Sequence, residues 1–157
     1  MYLCRIFNVF CMARRSFELV KRQREDLFAV YREVCASCRS QREAWQKMIN
    51  HPAPRYYITP KQAHEMLSPM LRGNTSEIDK LKPHVRQMYL DLFDELNRMS
   101  QKTEFIGKSL WFICQFLVTR PAPRFYLTER YLGLTFNTCK KYGKNHHYAE
   151  VYPKSAR

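Results

Sequence analysis

HPAPRYYIT at residues 51–59 recurs as RPAPRFYLT at residues 120–128, 69 positions later. Six of the nine residues are identical, which chance explains poorly. Two prolines separated by one residue end any helix before them, because each lacks an amide proton and holds the preceding residue in extended backbone. The aromatic and aliphatic residues that follow favour a short extended bridge, too short for an independent sheet. We interpret the chain as two related halves, at about residues 16–72 and 75–136.

Helices are predicted on both sides of the first copy. An initial helix with one buried face is indicated by apolar residues at i, i+3, i+4 and i+7, namely Leu27, Val30, Tyr31 and Val34. Ser40 followed by Glu43 is a capping-box pattern, so a second helix is predicted from Ser40 to Ile49. A third helix is predicted to begin after Thr59, which is a preferred N-cap residue and is followed by proline.

The second half repeats this order. Its initial helix is predicted over residues 85–99, its second over 103–118, and its third after the N-cap Thr128. Residues 110–118 are apolar at every position except Gln115. We therefore expect this second helix to be the most central one in the fold, with Gln115 and Lys108 as its solvent-exposed positions.

The fold class that follows is mainly α, with two imperfect helical repeats. Each repeat is expected to be helix, helix, extended turn and helix. The single helical domain is expected at residues 16–136, followed by a basic flexible tail at 137–157. Residues 1–15 are interpreted as an N-terminal extension that is either disordered or not translated. In the second case translation starts at Met12, and residues 1–11 are not made.

Charge gives the strongest functional indication. The 157 residues include 27 lysines and arginines against 14 acidic residues, a net charge of +13. A surplus this large favours nucleic acid, an anionic membrane surface or an acidic protein as partner. The apolar segment at residues 1–12 is shorter than the ~20 residues of a spanning helix, and basic residues follow it rather than precede it as in a secretory signal. We expect a cytoplasmic protein without a membrane partner.

Enzyme chemistry finds little support in the sequence. The six cysteines are expected to be reduced thiols, and Cys35 and Cys38, although spaced like a zinc half-site, are interpreted as buried structural residues. The four glycines are far apart, so no phosphate-binding loop exists, and neither carboxylates nor histidines show catalytic or ligand spacing. The sequence predicts a non-enzymatic protein with no cofactor and no metal site.

The repeated turn supplies the first candidate binding residues. Arg55 and Arg124 occupy the same place in each copy, where a guanidinium can contact a phosphate or a guanine edge with two hydrogen bonds. The alternative is structural, because the same group can bond the carbonyls left open where the preceding helix ends. Side chains alternate along extended backbone, so one aromatic residue of each pair is expected to be exposed. Tyr57 and Tyr126 are the candidates to stack on a base.

Other candidates follow from basic clusters. A helix–turn–helix reader would place the helix after Thr59 in the major groove and present Lys61, with His64, Glu65 and Arg72. Its nine-residue connection is longer than the usual three or four residues. A more diffuse surface for phosphate contacts is formed by residues near the two ends: Arg14, Arg15, Arg22, Lys140 and Lys141.

The Ala-Pro-Arg-aromatic-Tyr segment at 53–57 and 122–126 resembles a group of small basic proteins of bacterial phages and mobile elements. The resemblance covers about residues 24–128 and carries no catalytic residues over. It implies a setting, a bacterial or infected-host cytoplasm. The function predicted is non-enzymatic nucleic-acid binding, with DNA favoured over RNA. The alternative is a structural or adaptor protein, either a virion component or a binder of an acidic protein.

Overall fold

The structure, a computed structural model, describes residues 17–142, with side chains as far as Thr138. These residues form seven α-helices and no β-strand, so the prediction of a mainly helical fold is confirmed. The helices are α1 (Phe17–Cys35), α2 (Gln41–Ile49), α3 (Pro60–Leu71), α4 (Ser76–Asp79), α5 (Pro83–Ser100), α6 (Leu110–Leu117) and α7 (Glu129–Tyr142), and a 3₁₀ turn occupies Thr103–Phe105. Within the described range, no helix has both the length and the apolar character needed to span a bilayer.

Two helix starts in the first half lie where their capping patterns predict them. The Ser40 hydroxyl accepts the amide of Glu43 at 3.2 Å and caps α2. Thr59 and Gln62 form a complete capping box at the start of α3: the Thr59 hydroxyl accepts the Gln62 amide at 3.1 Å, and the Gln62 side chain accepts the Thr59 amide at 2.9 Å. Each bond satisfies an amide that has no partner inside the helix.

The corresponding helix of the second half begins later than predicted. α6 starts after Ser109, whose hydroxyl accepts the amide of Phe112 at 3.2 Å. Residues 103–105 form the separate 3₁₀ turn, and Gly107, at φ 74°, reverses the chain between the two. Glycine adopts this left-handed backbone without the steric penalty of a side chain. The predicted start at residue 103 was therefore wrong.

The first turn segment (residues 51–59) and the second turn segment (residues 120–128) lie against each other. Ala53 and Ala122 exchange two backbone hydrogen bonds of 2.9 Å and form an isolated antiparallel bridge. The amide of Tyr56 donates to the carbonyl of Val118 at 3.1 Å, at the C-terminal end of α6. The two copies of the repeated stretch thus join the two halves of the chain through their backbones.

Helices also cross between the halves. α1 packs on α2 and α5 packs on α6, but α3 packs on α6 of the other half, and α2 packs on α7. The third helix of each half therefore covers the second helix of the other half. Neither half closes a core by itself.

The contact of α2 with α7 depends on a glycine. The six-membered ring of Trp45 lies where a side chain at Gly133 would begin, and a Cβ there would be 3.1 Å from the nearest ring carbon. In the other pair of helices, Cys114 on α6 corresponds to Trp45 and His64 on α3 corresponds to Gly133. The larger residue is therefore on the third helix there, not on the second. The absence of a side chain at residue 133 allows the two helices to approach closely around the indole.

We expect Gly133→Leu to lower the free energy of unfolding by about 1–3 kcal/mol, since overpacking a well-filled contact displaces neighbouring groups. Urea unfolding followed by circular dichroism measures the change. Leu134→Ala, at an exposed position of the same helix, is the control and should change stability by less than about 0.5 kcal/mol. Equal stability of Gly133→Leu and the wild type would contradict the close packing.

Two boundaries differ from the sequence prediction. α7 continues past residue 136 to Tyr142, so the helical part extends into the segment expected to be a tail. Residues 143–157 lie outside the described part of the chain, as do residues 1–16. α6 is not the central buried helix: Ile113, Cys114 and Leu117 face the core, while Trp111, Phe112 and Phe116 are 49%, 39% and 46% exposed.

Candidate nucleic-acid interface

The arginines of the two turn segments approach a common crevice. Arg55 is partly buried and Arg124 is exposed, and both line a small crevice whose walls include the aromatic residues of both turns. The Arg55 Nε donates to the carbonyl of the adjacent Tyr56 at 3.2 Å. The carbonyl of Val118, near the end of α6, is instead bonded by the Tyr56 amide. Within the described residues, neither arginine shows a hydrogen bond to a helix-end carbonyl, which is the contact that the structural alternative invokes.

The aromatic residues of the turns are all buried. Tyr56 stacks on Tyr126 with ring centroids 6.2 Å apart, and Tyr57 stacks on Phe125 with centroids 5.9 Å apart. None of the four is more than 5% exposed. The expectation that one residue of each pair faces solvent was wrong, because each extended segment has the other on one side and helices on the other. Tyr57 and Tyr126 are therefore unavailable to stack on a base.

Both tyrosines have an acidic partner that sequence reasoning missed. The Tyr57 hydroxyl donates to Asp26 on α1 at 2.6 Å, and the Tyr126 hydroxyl donates to Asp91 on α5. Burial, together with the adjacent carboxylate, raises the pKa of each tyrosine, so both hydroxyls stay protonated and act as donors. The signal was present in the sequence, since the triplet Asp-Leu-Phe occurs at 26–28 and again at 91–93.

An open cleft lined by three basic and two acidic side chains lies beside the first turn segment. It has a volume of about 480 Å³ and is open to solvent. We call it the arginine cleft; its lining residues come from α1 and from the junction of the first turn with α3, namely Glu18, Leu19, Lys21, Arg22, Glu25, Arg55, Ile58, Thr59 and Pro60. Lys21, Arg22 and Arg55 form no ion pair with any residue that the structure describes.

Arg22 and Arg55 influence each other electrostatically. Burial lowers the pKa of Arg55, and the positive charge of Arg22 lowers it further, while Tyr57 and Asp26 act in the opposite direction. A partly desolvated guanidinium beside a second cation is stabilised by an anion that approaches both. The cleft is therefore suited chemically to a phosphate group, for which arginine offers paired donors.

Lys61 and His64, which the sequence placed on a groove-reading helix, do not line this cleft. Lys61 forms a 3.9 Å ion pair with Glu65 one turn along α3, and His64 packs edge-on against Trp111 with centroids 5.7 Å apart. If α3 entered a DNA groove, the charge of its lysine would be offset by Glu65, and its histidine ring would already be in contact with Trp111. Arg14 and Arg15 lie outside the described residues. The backbone of α7 carries Lys140 and Lys141, but their side chains are also outside the described part.

Charge is concentrated at the two ends of the chain. Residues 17–138 hold 19 lysines and arginines against 13 acidic residues, a net charge of +6. The other 35 residues hold eight basic side chains and one acidic side chain, a net charge of +7. More than half of the surplus therefore lies in about a fifth of the chain.

The cysteines near the end of α1 contact backbone rather than each other. Cys38 Sγ donates to the carbonyl of Val34 at 3.1 Å, and Cys35 Sγ to that of Arg32 at 3.6 Å. Both are half-buried free thiols, rather than the fully buried residues that the sequence predicted. Among the described side chains, no three His, Cys, Asp or Glu residues lie close enough to hold a metal ion.

Comparison with protein-family models, curated proteins and solved structures finds no match to this chain. The geometry described above is the basis for the functional argument that follows.

Proposed function

We propose that the protein binds nucleic acid and is not an enzyme, and that the arginine cleft contacts phosphates of the nucleic-acid backbone. The observation that carries the proposal is the pair Arg22 and Arg55, two cations without an ion pair among the described residues at the edge of one open cleft. The basic residues near both ends of the chain add further phosphate contacts. Such contacts give affinity and salt dependence with little sequence preference.

We also propose that the two halves are structural repeats with the turn segments as their joint. Supporting observations occur in pairs 69 residues apart: the hydroxyl caps of Ser40 and Ser109, and those of Thr59 and Thr128. The tyrosine–aspartate bonds form a third matched pair, in which the tyrosines are 69 residues apart and the aspartates 65. In this arrangement, Arg55 and Arg124 are equivalent residues, but only Arg55 lines the larger cleft. We therefore propose the phosphate site on the first repeat.

The test is fluorescence anisotropy with labelled DNA and RNA over a series of salt concentrations. We expect Arg22→Gln/Arg55→Gln to weaken binding about tenfold near 0.1 M salt and to reduce the slope of log K against log salt by about 2, one for each lost phosphate contact. Circular dichroism verifies that the variant is folded.

The matched control is Arg39→Gln/Arg72→Gln, which removes the same charge at two exposed positions away from the cleft. It should change the affinity much less. Equal weakening by both pairs would show that only net charge matters and would reject the cleft as the site. No binding by the wild type at low salt would reject the function and favour the adaptor alternative, with an acidic protein as partner.

A further inference from the structure

One side of α6 presents aromatic rings to solvent. Trp111, Phe112 and Phe116 are 49%, 39% and 46% exposed, and we call these three residues the aromatic face. Phe112 and Phe116 lie one turn apart with ring centroids at 5.1 Å, and Phe105 packs under both. Ile106, in the preceding loop, is 64% exposed. Large exposed apolar side chains grouped in this way often mark a binding surface.

The corresponding positions of the first half carry charged residues instead of aromatic ones. α2 has the same type of start as α6, and the residues 69 positions before the aromatic face are Arg42, Glu43 and Lys47. They form ordinary surface ion pairs, Arg42 with Glu129 and Lys47 with Glu43. The residues of α6 that face the core are Ile113, Cys114 and Leu117. A helix with this type of start is therefore compatible with a charged surface, whereas α6 has aromatic rings that cover Phe105 and still remain partly exposed.

A lysine lies over one ring of the aromatic face. Lys108 Nζ lies 5.5 Å from the centroid of the Phe112 ring and forms no ion pair within the described residues. Trp111 contacts His64, which lies one helical turn along α3 from Pro60 at the wall of the arginine cleft. One turn of helix advances about 5.4 Å. Trp111, one of the three residues of the aromatic face, is thus linked to the wall of the arginine cleft through His64 and the first turn of α3.

We infer that the aromatic face stacks bases of a single-stranded nucleic acid whose phosphates occupy the arginine cleft. The inference rests on the proposed function and narrows its ligand from nucleic acid in general to single strands. Bases of a single strand are free to stack on aromatic side chains, whereas those of a duplex are already stacked on each other. Binding that combines a cationic groove with exposed rings is tolerant of sequence, because every base has a ring face to offer.

Trp111 provides a direct reporter of stacking. The chain has two tryptophans, and in the Trp45→Phe variant the fluorescence comes from Trp111 alone. We expect titration with a dT12 oligonucleotide to quench this fluorescence to saturation, and a 12-base-pair duplex at equal phosphate concentration to leave it largely unchanged. Anisotropy on the otherwise unmodified chain gives the affinities independently, so the result does not depend on the Trp45 variant.

Substitution separates stacking from charge. We expect Trp111→Leu/Phe116→Leu to weaken dT12 binding about tenfold or more and to leave duplex binding unchanged, since each stacked base contributes a factor of this order. Leu134→Ala removes another exposed apolar side chain and is the control. Arg22→Gln/Arg55→Gln should weaken binding of both ligands.

The two proposals fail in distinguishable ways. If the Trp111 and Phe116 substitutions leave dT12 affinity unchanged while the arginine substitutions lower it, the stacking inference is rejected and the proposed function stands. Absence of binding to both oligonucleotides rejects the proposed function and, with it, the inference. Concentration-dependent self-association in sedimentation velocity, abolished by the same aromatic substitutions while dT12 binding persists, assigns the aromatic face to a contact between copies and also rejects the inference.

Discussion

Replacement of Tyr126 by alanine is expected to lower the free energy of unfolding by about 3–5 kcal/mol, the usual cost of truncating a buried aromatic residue. Small domains have a total stability of about 5–15 kcal/mol, so this loss is a large part of the whole. The side chain is 5% exposed, stacks on Tyr56 and donates its hydroxyl to Asp91. Equilibrium unfolding in urea measures the change.

Tyr126→Phe is the matched control, because it keeps the ring and removes only the hydroxyl. It should cost about 1–3 kcal/mol, since a partly buried carboxylate loses its donor. The backbone at residue 126 has φ 56°, a left-handed value that any L side chain finds unfavourable. Both variants retain a Cβ and share that penalty, so their difference isolates the ring. A double-mutant cycle with Asp91→Asn should give a coupling of about 0.5–3 kcal/mol. A coupling of zero would contradict a stabilising role for this hydrogen bond.

Removal of four charges near the ends of the chain should have the largest effect on nucleic-acid binding. In the full-length variant Arg14→Gln/Arg15→Gln/Lys140→Gln/Lys141→Gln, we expect affinity to fall about 100-fold near 0.1 M salt. The slope of log K against log salt should decrease by about 3–4, because up to four phosphate contacts are lost. The reason is the charge distribution, in which the residues outside 17–138 carry +7 of the total +13. Anisotropy across a salt series measures both quantities.

A charge-conserving variant of the same four positions serves as the control. Arg14→Lys/Arg15→Lys/Lys140→Arg/Lys141→Arg keeps every positive charge and should bind nearly as the wild type does, because counterion release depends on charge. A loss of affinity in this variant as large as in the glutamine variant would mean that hydrogen-bond geometry, rather than charge, dominates. An unchanged slope in the glutamine variant would place the phosphate contacts elsewhere.

Local chemistry made the helix starts of the first half predictable. Ser40 with Glu43, and Thr59 with Gln62, satisfy helix amides through side chains three residues apart, so the pattern needs no knowledge of the rest of the fold. The two prolines of each turn segment end the helix before them, and this was also predictable from local sequence alone. The separate 3₁₀ turn at residues 103–105 was not predicted, because it is divided from α6 by the backbone conformation of Gly107.

Features that depend on distant contacts were not predictable. Side chains alternate between the two faces of an extended segment. This alternation predicts exposed residues only when one face is covered and the other is open to solvent. The turn segments are covered on both sides, by each other and by helices, so Tyr57 and Tyr126 are buried together with their neighbours. Near-uniform apolarity in α6 likewise conceals its orientation, because the same residues would suit a fully buried helix. The arginine cleft required the proximity of Arg22 and Arg55, 33 residues apart in the sequence.

The crossed packing of α3 on α6 and of α2 on α7 determines how the chain can fold. The third helix of each half packs on the second helix of the other half. The contacts that complete the core therefore join residues far apart in the sequence. High contact order slows folding. Because the crossed helices connect the two halves, we expect both halves to unfold in one cooperative transition. A nascent chain that ends after α3 has no α6 to receive that helix. Its apolar side lacks this partner until α6, which ends at Leu117, has been synthesised.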